Sequence, residues 1–596
     1  MKRTSTRPPK PLAFLLLAFL FLILGAVVAK AAQQPNIILI LADDLGFTDI
    51  APYGSEISTP SLTALASEGI SFTNYHTAAS CAPSRAMLLT GVDNHRAGVA
   101  SIPEAIPPEQ SGFDNYQGVL GNNVVTVASL LEASGYHTYM AGKWHLGKER
   151  HQLPSRRGFE KTVAMADTGA DNWEQKPYIP IYKKANWFAD GEEMVLPEDF
   201  YSSRFLIDKT IEFIDSNLED GRPFFAYLPF QAVHIPVQAP QEFIDQYMGV
   251  YDVGWEQLRE DRLTKALELG VVGQGTEMVE MSTTEDWEAL PDERKRYEAK
   301  RMAVYGGMVT AMDFHIGRLI EYLKATGQYD NTLFVFTSDN GSEVSGTPDP
   351  LNGPARLFVK SQGYTSEYET LGLKGSFNSI SPSFASASAS PLAFYKFYAG
   401  EGGLRVPLII AGQSIAVKGE LNHALSHVTD ITPTILSLAG VKAPDGRFGG
   451  RPVEAIVGRN LMPLIRGDVD RVYAEDEAIG YEVGGNAALF RGDHKIVMNR
   501  GPVGDSKWHL YNIVSDPGET EDLADAMPER MLVMSQAYEQ YVLENGVLPV
   551  PIGYEQVYQI GINGLREVYG RPMLVIFVSM LILVIFLVVA RSIKRR

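Results

Sequence analysis

The only cysteine of the chain, Cys81, stands in Ser80-Cys81-Ala82-Pro83-Ser84-Arg85, followed by Ala86-Met87-Leu88-Leu89-Thr90-Gly91. The apolar run, with Pro83 and Ser84 suited to an opening turn, predicts a helix start there. A sulfur at that point lies in the positive field of the helix terminus, beside the Arg85 cation. Taken alone, a single cysteine reads more readily as buried, inert core. Two other sets of residues give it chemical company. Asp43-Asp44-Leu45-Gly46 closes an apolar, β-branched run over 36–42, and Ser338-Asp339-Asn340-Gly341 closes a second over 332–337. Both runs predict strands of a parallel sheet buried on both faces. Acids at the carboxyl ends of such strands sit where α/β folds place ligands. Adjacent buried anions are costly unless a cation joins them; the plainer alternative is a helix cap and solvated turn. As a set, Asp43, Asp44, Asp339 and Asn340 offer only oxygen, which suits a hard divalent cation, calcium rather than magnesium.

Two histidines and a lysine add to this. In Gly142-Lys143-Trp144-His145-Leu146-Gly147, Lys143 and His145 alternate, so in extended geometry they project together and suit an anionic pocket. His234 follows an apolar run over 223–228 and precedes Ile235-Pro236, which places it in a strand-end loop. His137, His151 and His315 lack such a setting and read as structural or exposed.

These side chains need a scaffold of alternating strands and helices. Strands are expected at 36–42, 70–75, 223–228, 332–337 and 408–411, with a further strand in the first half of 135–147. Helices are expected at 61–68, 124–134, 251–269 and 296–326. Residues 341–400, rich in Gly, Ser and Ala, read as a long functional or disordered loop. The segment 185–198 is expected to shape a pocket mouth. The stretch from His427 to Pro433 reads as the capped start of a scaffold helix. From about 472 the pattern changes to short strands and then a helix over 528–543.

The cysteine stretch, Cys-x-Pro-Ser-Arg followed by Leu-Thr-Gly, resembles the signature of the formylglycine-dependent sulfatases, arylsulfatase-like members of the alkaline phosphatase superfamily. The stretch 135–147 resembles the second signature of that family. His234 ahead of a proline and Gly402-Gly403-Leu404-Arg405-Val406-Pro407 also resemble sulfatase features, and the likeness runs from about 35 to about 548. It implies a fold, written here as an expectation: α/β, with a large central mixed, mostly parallel sheet flanked by helices, alkaline-phosphatase-like, and a smaller C-terminal α+β domain. It also implies that Cys81 is oxidised to formylglycine by a maturation enzyme. The hydrated aldehyde would attack sulfur, and its second hydroxyl would let the aldehyde reform as sulfate leaves. In the same scheme calcium is held by Asp43, Asp44, Asp339 and Asn340 together with the converted residue 81. Arg85 and Lys143 balance the anionic centre, and His145 orients the diol or accepts its proton. His234 protonates the leaving oxygen, and Lys396 binds sulfate, with Lys374 as its rival. The substrate is a small-molecule or saccharide sulfate ester.

The chain has 596 residues and a formal net charge of −19. That balance argues against nucleic acid as a partner, whose phosphates need a basic surface. A single cysteine excludes a disulfide framework. Both ends carry apolar runs. Residues 1–31 read as a secretory signal peptide, or an uncleaved anchor, with Lys2, Arg3, Arg7 and Lys10 ahead of the run. Residues 573–590, about 18 apolar positions, read as a transmembrane helix followed by a basic cytoplasmic tail at 591–596. The expected order is therefore signal peptide, catalytic domain over 32–465, a small antiparallel-sheet domain over 466–550, a linker over 551–572, the membrane helix and the tail. That order places the body outside a bacterial inner membrane, facing the periplasm. Two alternatives stand beside sulfate ester hydrolysis. One is a phosphodiesterase or phosphonate monoester hydrolase of the same superfamily. The other is a membrane-tethered binding protein with Cys81 unconverted.

Overall fold

The computed structural model describes residues 34–343, 355–413 and 415–570. Its centre is a ten-stranded mixed sheet. Five adjacent strands run parallel: Thr332–Ser338, Asn36–Ala42, Phe224–Pro229, His137–Lys143 and Lys161–Met165, in that spatial order. Asn36–Ala42 (Asn-Ile-Ile-Leu-Ile-Leu-Ala) is buried at every position, because helices cover both faces and leave no side where a polar residue would meet water. On one side Leu408–Ala411 pairs antiparallel with Thr332–Ser338, Gly69–Phe72 pairs antiparallel with it in turn, and Glu420–Asn422 pairs parallel at the edge. Trp187–Ala189 and Glu192–Glu193 form a hairpin at the other edge. The segment 185–198 is thus sheet edge. The chain that lies against His234 is instead 169–178: a Cβ on Gly169 would stand 2.8 Å from His234 Nδ1, and the Tyr178 ring centroid lies 5.9 Å from that of His234.

A second, four-stranded antiparallel sheet comprises Ala478–Val483, Asn486–Arg491, His494–Met498 and Trp508–Asn512. Helix Pro528–Asn545 covers one face, its Met534 packing with Leu489, Ile496 and Leu510 of the sheet. Tyr481, Val483, Ala488, Phe490 and Val497 of the opposite face join the core of the large sheet. The alternation of inward and outward residues along these strands serves two different cores.

The stretch 341–400 is more ordered than its composition suggests. Residues 344–354 lie outside the described residues, but Pro382–Ala389 is a helix buried along most of its length. Its small side chains allow the turn after the first strand to approach its backbone. Thr48 N–H donates to Ser388 O at 3.1 Å, and a Cβ on Gly46 would lie 2.5 Å from that same oxygen.

The expectation of a C-terminal transmembrane helix and a membrane-anchored location is corrected. Among the described residues no helix is long and apolar enough to cross a membrane. The run 573–590, the basic tail and the expected signal peptide 1–31 lie outside the described residues. The stretch read as a linker carries a helix, Gln556–Leu565, packed on the large domain.

Candidate active site

Four neighbouring parallel strands deliver the candidate residues at their carboxyl ends. The register pairs Ala42 with Ser338, so Asp43 and Asp44 emerge beside Asp339 and Asn340. His234 follows the strand on the other side of Asn36–Ala42, and Lys143 ends the strand beyond that. Asp44 adopts a left-handed backbone (φ 64°). Its N–H donates to Asp339 Oδ1 at 3.1 Å. Gly142 makes room for the close crossing next to Lys143: at φ 143° a Cβ there would stand 1.8 Å from Pro229 O.

Cys81 opens the helix Cys81–Thr90, all ten residues of which are buried. Gly91 ends it in the left-handed conformation at φ 68°. Cys81 Sγ lies 3.7 Å from Asp44 Oδ1. One ligand atom each from Asp43, Asp44, Cys81 and His234 lie within 4.8 Å of one another. Burial pushes the Cys81 thiol well above its usual range, against the pull of Lys143 and Lys396, so the unmodified residue is a protonated and weak nucleophile.

Three buried cations interleave with the carboxylates. Lys143 Nζ donates to both oxygens of Asp43 at 2.9 and 2.7 Å. Arg85 places Nε and Nη2 on Asp339 Oδ2 at 2.9 and 2.7 Å and donates from Nη1 to Lys143 O at 2.8 Å. Lys396 Nζ bridges Asp44 Oδ2 at 2.8 Å and Glu343 Oε2 at 2.7 Å. Burial would raise the Asp339 carboxyl, but Arg85 and Lys143 outweigh it and hold the group at about 2. Burial dominates at Asp43 and pushes it up, despite Lys143.

The two histidines are neutral, each with one bare nitrogen. Burial lowers both pKa values, with Lys143 and Lys396 adding to the effect at His234. His234 Nδ1–H donates to Ile235 O at 2.7 Å, which leaves Nε2 bare, 3.5 Å from Asp44 Oδ2 and 3.7 Å from Glu343 Oε2. His145 Nε2–H donates to Glu104 Oε2 at 3.1 Å, which leaves its buried Nδ1 without a partner among the described residues. Burial would raise Glu104, but His145 and the Tyr182 hydroxyl hold it low, so it accepts from both.

Of the residues expected from sequence, Asp43, Asp44, Asp339, Asn340, Cys81, Arg85, Lys143, His234 and Lys396 meet in this cluster. His145 stands with Glu104 at its side. Lys374 does not join them; its side chain is 55% exposed and lies 3.7 Å from Glu174 Oε1. Sequence reasoning missed Glu343 and Glu104. Glu343 had a local signal, three residues after Asn340, whereas Glu104 sits in a short turn, Pro103–Ala105, with none.

The donor set fits a cation. Asp43, Asp44 and Asp339 supply carboxylate oxygens, and Asn340 Oδ1 is buried without a hydrogen-bond partner among the described residues. With Glu343 the cluster holds four carboxylates against three cations, so a divalent ion brings it to a net positive charge. Such a centre attracts an anionic ester.

A mixed sheet with an acid-and-amide cluster that fits a metal ion at its parallel strand tips, beside a buried cysteine among buried cations, is the arrangement of an ester hydrolase of the alkaline-phosphatase-like class. The sulfatase family model matches residues 35–441. The chain is 35% identical over 538 residues to an uncharacterised sulfatase of Schizosaccharomyces pombe, covering 87% of this chain and 95% of that one. It is 35% identical over 446 residues to an arylsulfatase of Klebsiella aerogenes, covering 73% and 93%. Among solved structures it resembles Ps i-CgsB in complex with k-i-k-neocarrahexaose, with a TM-score of 0.62 at 24% identity over 90% of this chain and 98% of that one. The chain belongs to the sulfatase family, and it is a sulfuric ester hydrolase.

Proposed function

We propose that the chain hydrolyses sulfate monoesters of the arylsulfatase type at residue 81, after conversion of Cys81 to formylglycine and with a calcium ion in the oxygen cluster. The observation that carries this reading is the gathering of Asp43, Asp44, Asp339 and Asn340 from two paired strand tips around the Cys81 side chain. The likeness to the Klebsiella aerogenes arylsulfatase supports the substrate type.

Asp43, Asp44, Asp339 and Asn340 would hold the cation, together with an oxygen on the converted residue 81. When bound, it polarises sulfate oxygens and makes a nearby hydroxyl more acidic. The hydrate of formylglycine, formed by addition of water to the aldehyde, would supply a hydroxyl nucleophile that the protonated Cys81 thiol is not. Arg85 and Lys143 fix Asp339 and Asp43 and add positive charge where negative charge accumulates. Lys396 grips the sulfate. The bare Nδ1 of His145 accepts a proton from the nucleophile. His234 must first take up a proton, which the ester anion and Glu343 favour, and it then delivers that proton to the leaving oxygen. Cys81 is only 1% exposed, so a maturation enzyme has to reach it before the helix Cys81–Thr90 is packed.

Two measurements test this together. The mass of the peptide bearing residue 81 should show the thiol-to-aldehyde change. A panel of aryl, carbohydrate and steroid sulfates, with matched aryl phosphates, should show turnover of sulfates first. An intact thiol in active enzyme, or a preference for the phosphates, refutes the proposal.

A further inference from the structure

The segment after helix Pro528–Asn545 runs along the turn that carries Glu104. Tyr554 OH donates to Ala105 O at 3.1 Å. Asn563 Nδ2, on helix Gln556–Leu565, donates to Glu104 O at 2.8 Å and to Ile106 O at 3.0 Å. Gln559 Nε2 donates to Asn563 Oδ1 at 2.9 Å, which sets the amide with its NH₂ toward the turn. The turn and the helix together border a cavity of about 450 Å³ that His145, Tyr182 and Lys148 also line. The carbonyls of Glu104, Ala105 and Ile106 are all held by hydrogen bonds from this C-terminal segment.

The turn matters because of what Glu104 holds. Its carboxylate accepts from His145 Nε2 and from the Tyr182 hydroxyl. A carboxylate at Nε2 dictates the tautomer: the proton stays on Nε2, and Nδ1 is left as a buried base. His145 itself has a left-handed backbone at φ 55°.

We propose that helix Gln556–Leu565 is a positioning element of the active site, acting through Asn563 and Tyr554 on the Pro103–Ala105 turn so that Glu104 holds His145 with Nδ1 bare. Glu104 is a positioning residue, and the inference rests on the role given to His145 above.

The test uses the full chain with Asn563→Ala, Tyr554→Phe, Glu104→Gln and the double variant Asn563→Ala/Glu104→Gln. Glu104→Gln offers an amide that also supports the wrong tautomer, so kcat should fall roughly 10²- to 10⁴-fold. Asn563→Ala should lower kcat about tenfold with KM unchanged, as a small misplacement of a catalytic group does. In the Glu104→Gln background it should add nothing, because both changes act through the same imidazole. Tyr554→Phe, which removes one hydroxyl, gives the same pattern in a variant that keeps its packing. A second readout is independent of turnover: the ¹⁵N spectrum of selectively labelled histidine should show His145 protonated at Nε2, and Asn563→Ala should blur that signature. If Asn563→Ala leaves kcat and the spectrum unchanged, or costs as much in the Glu104→Gln background as in the native chain, the proposal is overturned. A wild-type chain with the expected spectrum but no sulfatase turnover overturns the role of His145 and leaves the positioning intact.

Discussion

Replacing Lys396 by methionine, with Lys374→Met as its control, separates the two lysines that the sequence could not tell apart. Lys396 Nζ sits 2.8 Å from Asp44 Oδ2 and 2.7 Å from Glu343 Oε2, and its side chain is 3% exposed. A unit charge pair at about 4 Å and an effective dielectric near 20 is worth about 4 kcal/mol. Removing one partner from a buried pair costs about 3–5 kcal/mol. If most of that falls on binding the anionic ester, kcat/KM drops roughly 10²- to 10³-fold, at about 1.4 kcal/mol for each factor of ten. Lys374 is exposed, and such a pair is worth about 1 kcal/mol at most, or roughly fivefold. The assay is kcat/KM on a chromogenic aryl sulfate, with inhibition by inorganic sulfate and the melting temperature of each variant. Methionine keeps the apolar stem, so lost packing contributes little. A fall in melting temperature is also expected, from the Asp44 and Glu343 carboxylates left facing each other. Adding Glu343→Gln should recover the melting temperature but not kcat/KM. If Lys396→Met stays within fivefold of wild type, or if Lys374→Met is the more damaging change, the assignment of the sulfate-binding lysine is wrong.

Three further outcomes are expected. Chelation of divalent ions should abolish turnover, with calcium restoring it better than magnesium. Asp43→Asn or Asp44→Asn should prevent that recovery, and full activity after exhaustive chelation would remove the cation from the reading. His234→Ala should slow esters with poor leaving groups far more than those with good ones; equal losses across a leaving-group series exclude it as the acid. His95, in the turn after helix Cys81–Thr90, reaches the four-stranded sheet, with Nε2 2.8 Å from Glu482 Oε2 and Nδ1 3.3 Å from Asp93 Oδ1. Burial alone would lower its pKa, but the two carboxylates raise it from 6.5 to about 9. A raised histidine stabilises the fold fully below its unfolded value and loses that contribution as pH climbs through the folded one. The loss thus falls between about pH 6.5 and 9 and amounts to about 3 kcal/mol at most. The melting temperature should drop across that window in the wild type and drop less in His95→Gln; identical slopes would dismiss the linkage.

Parts of the fold were legible because the physics is local. The run Asn36–Ala42 is apolar after Asn36 and rich in isoleucine and leucine, as expected of a strand covered on both faces, and its boundaries match the strand found. The same holds for Leu408–Ala411. The helix Pro382–Ala389 was read as loop because Ser and Ala carry no amphipathic pattern; its surroundings are core on nearly every side, so no polar stripe marks a solvent face. The run 573–590 carried a strong hydropathy signal, yet hydropathy reports apolar content and does not establish a spanning helix.

By itself the sequence determined which groups were available: one thiol in a helix start beside an arginine, and an acid pair and an acid–amide pair at the ends of buried strands. Their types and neighbours are written within a few residues, where steric and hydropathy rules apply. Only the tertiary structure decided how they are charged and held. Lys396 meets Asp44 across 352 positions, and Asn563 reaches Glu104 across 459. Such pairings come from sheet register and the docking of distant elements. Burial then sets the protonation of Cys81, His145 and His234, because desolvation depends on what the whole chain packs around each group.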